Sequence, residues 1–156
     1  GATRNETIMN AVDLIEKNGD LNDDTIIVTH DSVRPFVTHR IIEENIAACE
    51  KYGACDTVIK ATDTIVESKD ANAISSIPNR NYMYQGQTPQ SCKAKKLKAL
   101  YHARTQEEKE ILTDAAKIFV LKGETVALVD GEDFNIKITY PYDMRVARSL
   151  LEDEEE

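Results

Sequence analysis

No apolar stretch in the 156 residues approaches the ~18 needed to cross a bilayer as a helix, which excludes a helical membrane protein. No internal repeat or low-complexity linker interrupts the chain. Basic charge is scarce too. The net charge is −9, and the tail Glu152-Asp153-Glu154-Glu155-Glu156 contributes five of those negative charges. That balance argues against nucleic-acid binding by bulk electrostatics, while leaving room for a small anion held by a local basic cluster. The three cysteines, Cys49, Cys55 and Cys92, show no C-x-x-C spacing and read as free thiols of a cytoplasmic protein. His30, His39 and His102 lack zinc-motif spacing. Six glycines stand at 1, 19, 53, 86, 123 and 131, none of them clustered.

What remains is an ordinary globular composition, 41% hydrophobic and 30% charged, in a length that suits one domain. Apolar spacing predicts a helix over 5–18, with Ile8, Val12 and Ile15 on one face. A β-branched run, 25–29, predicts a buried parallel strand. Thr38 can cap a helix reaching Tyr52 that buries Ile42, Ile46 and Cys49, with Gly53 closing it, and 54–60 reads as the next strand. This alternation is α/β logic and implies a parallel sheet. Residues 63–92 break it: short extended pieces and the turn Pro78-Asn79-Arg80-Asn81 suggest a β-arm projecting from the sheet. Helical character returns over 93–103. Thr105-Gln106-Glu107-Glu108 is a capping box, and Thr113-Asp114 opens another helix. A strand over 126–129 and an extended 136–139 follow. Pro141 suits the first position of a last helix, with Asp143 near its positive end and an acidic tail, 152–156, beyond it.

The chemistry concentrates where the first strand ends, in His30-Asp31-Ser32-Val33-Arg34-Pro35. Ligands of open α/β sheets sit beyond the carboxyl ends of strands. A carboxylate there can hold a metal, and an arginine three residues on can hold a phosphate. On these residues alone, a surface salt bridge beside a turn proline is the equal alternative. Lys137, alternating with Ile136 and Ile138, faces away from them, as a merely exposed lysine also would. Gln85-Gly86-Gln87-Thr88-Pro89-Gln90 offers amides and a hydroxyl for polar recognition, or an irregular crossover with satisfied side chains.

Taken in order, Gly1-Ala2-Thr3-Arg4-Asn5-Glu6-Thr7, the Asp31–Pro35 motif, Asp63-Thr64, Arg80, Thr88-Pro89-Gln90, Leu112-Thr113-Asp114 and Asn135-Ile136-Lys137-Ile138-Thr139 resemble the cytidylyltransferases of the methylerythritol-phosphate and ribitol-phosphate type. The resemblance spans nearly the whole chain. It implies a Rossmann-like α/β domain, a mostly parallel sheet flanked by helices, with a β-arm exchanged across a homodimer. It also implies Mg²⁺-dependent transfer of CMP from CTP to a polyol phosphate. By the same resemblance Lys137 and Asp31 are catalytic, with Asp31 also holding the metal. Arg4, Thr7 and Asp31 bind the nucleotide, and Arg34, Thr64, Arg80, Thr113 and Lys137 bind the second substrate.

Asp63-Thr64-Ile65-Val66-Glu67-Ser68, Tyr84–Gln90 and Ile111–Lys117 look more like the ribitol 5-phosphate enzymes of teichoic acid and cell-wall synthesis, so CDP-ribitol is the favoured product and the methylerythritol enzyme of isoprenoid synthesis the alternative. The family's glycine-rich phosphate loop has no counterpart in this sequence. The expectation is a single domain, 1–156, lacking its N-terminal third and inactive alone. A non-catalytic dimerisation module is the competing reading of such a fragment.

Overall fold

The computed structural model describes residues 1–105 and 115–152. Its elements are α1 (Arg4–Lys17), β1 (Ile26–Thr29), α2 (His39–Tyr52), β2 (Ala54–Lys60), a 3₁₀ turn (Arg80–Tyr82), β3 (Tyr84–Lys93), α3 (Ala94–His102), α4 (Ala115–Val120), β4 (Ala127–Asp130) and α5 (Asp143–Glu152). Local chemistry sets the helix ends. The Thr3 hydroxyl accepts the Glu6 N–H at 3.1 Å, and the Thr38 hydroxyl accepts the Ile41 N–H at 3.3 Å. Gly53 closes α2 at φ 87°, where a side chain would be strained, and donates its N–H to the Cys49 carbonyl.

The sheet order is β1-β3-β2-β4. Among the described residues its pairing departs from the expected mostly parallel sheet, because only β2 and β4 run parallel and β3 is antiparallel to both β1 and β2. The chain leaves β2, makes an excursion over residues 61–83 and returns in the opposite direction, so β3 opposes both neighbours. The helices between β3 and β4 supply the crossover that a parallel pair needs. Among the described residues β1 is the end strand of this order and pairs antiparallel with β3 rather than parallel, and Val28 is exposed. Its β-branched residues specify extended backbone, but burial depends on neighbours that the local sequence does not encode. The expected arm, 63–92, also ends early, because residues 84–92 belong to β3.

Neighbouring residues of β2 serve two cores, as the period of a strand requires. Ala54 joins Met9, Val12, Leu97, Ile118 and Phe119 beneath α1, α3 and α4, while Cys55 joins Cys49 and Val129 beneath α2. All three cysteines are free and buried. Burial pushes the Cys49 thiol up to about 11 and the Cys55 thiol to about 12, so both stay protonated and inert. The inward face of α2 is Ile41, Asn45 and Cys49, not Ile42 and Ile46. Asn45 can be buried because its amide donates to the Thr57 hydroxyl at 2.8 Å and to the Ile41 carbonyl, and accepts from the Ser91 hydroxyl at 3.0 Å. A polarity count places that asparagine outside. α5 starts at Asp143, not at Pro141, and the Asp143 carboxylate accepts the N–H groups of Thr139 and Tyr140, each at 2.7 Å. The capping box at 105–108, the helix start at 113–114 and most of the acidic tail fall outside the described residues.

Candidate active site

The strand β1 delivers Asp31 to the end of the sheet. A turn follows, in which the Arg34 N–H donates to the Asp31 carbonyl at 2.9 Å, and this folds the Arg34 side chain back toward the carboxylate. Three cations converge there. Arg4 Nη2, from the first turn of α1, lies 3.4 Å from Asp31 Oδ1. Lys137 Nζ lies 3.3 Å and Arg34 Nε 3.6 Å from Oδ2. Arg34 is fixed a second time, by donation from Nη1 to the Asn135 carbonyl at 2.8 Å.

Partial burial by itself would raise the Asp31 carboxyl, but Arg4, Lys137 and Arg34 together outweigh it and hold the group below the ordinary carboxylate value. Asp31 is therefore ionised at neutral pH. Three cations around one anion leave an excess of two positive charges, which suits a polyanionic phosphate ligand. Lys137 is about half exposed. An exposed pair of this kind holds by no more than ~1 kcal/mol, so its ammonium is free to turn from Asp31 to a ligand.

Among the described residues, no three His, Cys, Asp or Glu side chains gather to hold a metal ion. The contacts of Asp31 to the three cations, 3.3–3.6 Å, are looser than the ~2.8 Å of a tight charge-assisted hydrogen bond. Divalent ions in nucleotide sites take one or two carboxylates and complete their shell with phosphate oxygens and water. Asp31 fits an ion that arrives with phosphates better than a permanently caged one.

The backbone of Asp31 is also held. Its N–H donates to the Thr88 hydroxyl at 3.0 Å, and that hydroxyl meets His30 Nδ1 at 2.9 Å. His30 Nε2 reaches the Arg34 carbonyl at 2.8 Å. With the imidazole proton on Nε2, every group in this chain has a complementary partner. His30 thus braces the turn. Arg40, on α2, clamps the start of the Lys137 segment through the Asp130 carbonyl at 3.1 Å and Glu132 at 2.7 Å. Thr88 and Asn135 stand in motifs that the sequence already marks, but their role as supports is not legible there, and nothing in the sequence singles out Arg40. Their polar side chains matter only through partners distant in the chain.

The remaining sequence candidates lie elsewhere. Thr7 sits one turn beyond Arg4 at a groove of about 340 Å³ between α1 and β1, its hydroxyl donating to the Thr3 carbonyl. Thr64 and Arg80 are exposed on the 61–83 segment, and Arg80 donates to the Thr62 carbonyl at 2.7 Å. Among the described residues, neither forms a hydrogen bond or ion pair with the Asp31 cluster. Thr113 falls outside the described residues. A cavity of about 540 Å³ opens between residues 35–38 and α5 and is mainly apolar, so it is not where the charges converge.

The family model for 2-C-methyl-D-erythritol 4-phosphate cytidylyltransferase matches residues 1–153. A crystal structure of 4-diphosphocytidyl-2C-methyl-D-erythritol synthase superposes with a TM-score of 0.82 at 27% identity, covering 97% of this chain and 68% of that one. The 2-C-methyl-D-erythritol 4-phosphate cytidylyltransferase from Thermus thermophilus gives 0.78 at 27% identity, covering 96% and 70%. The 4-diphosphocytidyl-2C-methyl-D-erythritol synthase from Anaerococcus prevotii gives 0.72 at 33% identity, covering 89% and 62%. The α/β fold is shared throughout. All of these carry the methylerythritol name, so the preference for the ribitol type, with its teichoic acid and cell-wall setting, is not supported. It rested on three short segments, one of which runs through residues 111–114, outside the described part.

Proposed function

The chain belongs to the 2-C-methyl-D-erythritol 4-phosphate cytidylyltransferase family, which comprises CTP-dependent nucleotidyltransferases, and on that basis we propose that it transfers CMP from CTP to 2-C-methyl-D-erythritol 4-phosphate, releasing pyrophosphate. The observation that carries this reading is the convergence of Arg4, Arg34 and Lys137 on Asp31 at the end of β1. A phosphate oxygen of the acceptor attacks the α-phosphorus of CTP, and the bond from that phosphorus to the bridging oxygen breaks. The nucleophile is already an anion, so no strong general base is required. The work is to bring two anions together in line and to offset the charge of the pentacoordinate state.

Lys137 suits the second task, being positively charged, half exposed and held only loosely by Asp31. Arg4 and Thr7 serve the nucleotide side. Arg34 serves the acceptor phosphate, with Thr113 assigned there by family likeness. When bound, Mg²⁺ supplies charge neutralisation at the phosphates, and Asp31 is the residue that would hold it. Thr64 and Arg80 complete the acceptor site from the 61–83 arm of a second copy of the chain. The exposed Val66, Ile74, Ile77 and Tyr82 of that segment give a homodimer an apolar surface to cover.

The test is pyrophosphate release by the full-length protein with CTP and Mg²⁺, comparing 2-C-methyl-D-erythritol 4-phosphate with ribitol 5-phosphate as acceptors. Release with the first alone is expected. Turnover of ribitol 5-phosphate alone rejects the acceptor, and release with neither rejects the reading.

A further inference from the structure

We infer that Asn135 is a positioning residue, which sets Arg34 and Lys137 against Asp31 from inside the fold and thereby builds the phosphate-binding cluster. This rests on the reading of that cluster as a phosphate site. Asn135 has no exposed surface, although it lies only two residues from the half-exposed Lys137. Its amide Nδ2 donates to the Thr88 carbonyl at 2.9 Å and to Gln87 Oε1 at 3.1 Å. The direction of these bonds is set by the partners. A carbonyl only accepts, and Gln87 Nε2 is already committed to the Glu132 carbonyl at 2.9 Å.

Two consequences follow for the cluster. The Asn135 carbonyl is the acceptor that holds Arg34 Nη1 at 2.8 Å. The Ile138 N–H donates to the Val33 carbonyl at 2.8 Å, so Lys137 is pinned on both sides, by Asn135 before it and by Ile138 after it. Thr88 joins the two halves, because its carbonyl receives Asn135 while its hydroxyl receives the Asp31 N–H. Asn135 thus ties β3 to the Arg34 turn and to the Lys137 segment at once, without facing the ligand. A displacement of about 1 Å in such groups can cost ~10²-fold in rate, and a comparable sensitivity is expected for a ligand gripped by several cations.

The experiment titrates inorganic phosphate into the full-length protein by calorimetry and measures thermal unfolding and CMP transfer in parallel. Asn135→Ala is expected to remain folded and to weaken phosphate binding by about tenfold or more, in the range seen when groups that orient direct ligands are removed. Should Asn135→Ala fail to fold, Asn135→Ser, which keeps one donor, carries the same expectation. A double-mutant cycle with Arg34→Ala separates positioning from mere stability. If Asn135 acts through Arg34, the double variant loses less binding than the product of the single losses. A folded Asn135 variant that binds phosphate as the wild type does, or losses that simply multiply, overturns the inference. Wild-type protein that binds phosphate without transferring CMP sinks the proposed function while the cycle still decides on Asn135. Wild-type protein that does not bind phosphate sinks both.

Discussion

The Asp31 cluster and the 61–83 segment are built in opposite ways. In the cluster, Asp31, Arg34 and Lys137 hang from hydrogen bonds to Thr88, Val33 and Asn135, and the fully buried Asn135 joins two of these supports. In the segment, the turn is closed largely by its own neighbours. Asp70 Oδ1 accepts the N–H groups of Asn72 and Ala73, and Glu67 pairs with Ser76. Ile74, Ile77 and Tyr82 remain 60%, 60% and 75% exposed, so the segment gains little from burial against its own chain. On the proposed reading, the fold pre-organises half of the site internally and leaves the rest on a surface for a second copy to cover.

The largest expected effect breaks the cluster at its most exposed cation. Lys137→Ala should lower kcat by about 10²–10³-fold with a much smaller change in the KM for CTP, since its charge matters most at the pentacoordinate state. Steady-state pyrophosphate release by the full-length protein reads this, and a kcat near wild type removes Lys137 from the mechanism.

A smaller effect is expected on the arm. Arg80→Lys should raise the KM for the acceptor by roughly tenfold, because an ammonium does not reproduce the two-pronged grip of a guanidinium on phosphate. Mixing an Arg80→Ala variant with a Lys137→Ala variant should restore part of the activity if arms reach into a partner's site. Absence of any recovery, with mixed dimers shown to form, would place Arg80 outside the site.

Gly131→Ala probes the support of the cluster without touching a charge. A Cβ there would lie 2.3 Å from Gln87 Oε1 and 3.1 Å from Thr57 Cγ2. Gln87 is buried and bonded to both Asn135 and Glu132, so it cannot swing aside freely. A loss of about 1–3 kcal/mol in urea unfolding is expected, and an unchanged midpoint would show that the Gln87–Asn135 contact is soft.

The smallest effect concerns pH. The Asp31 carboxyl is held below its unfolded value, so its contribution to stability is full above the ordinary carboxylate range and disappears as pH falls through the lowered value. The stability difference between wild type and Asp31→Asn should therefore shrink as pH falls through the ordinary carboxylate value of about 3.9 and below it. A difference that grows on acidification would contradict the cationic environment of Asp31.

Much of the local structure could be read from the sequence because its causes are local. The Thr38 cap, the left-handed Gly53 and the strands at 26–29 and 54–60 follow from side chains a few residues apart. The pairing of Asp31 with Arg34 is similarly local, three residues across one turn. The inward turn of Asn45 was not readable, because an amide enters a core only when Thr57 and Ser91 come to meet it. The antiparallel direction of β3 was hidden for a related reason. Residues 84–92 carry strand chemistry, but their direction depends on how the preceding excursion returns.

Residue identity and short-range order were enough to reveal the family, the α/β alternation and the charged residues of the motif. Packing in three dimensions was needed to show that Arg4, Arg34 and Lys137 meet on one carboxylate, that β1 pairs antiparallel with β3, and that Asn135 is buried between β3 and the Arg34 turn. The bond from Arg34 to Asn135 spans 101 positions of the chain. Such a contact has no local signature: its existence depends on the order and direction in which the strands pack.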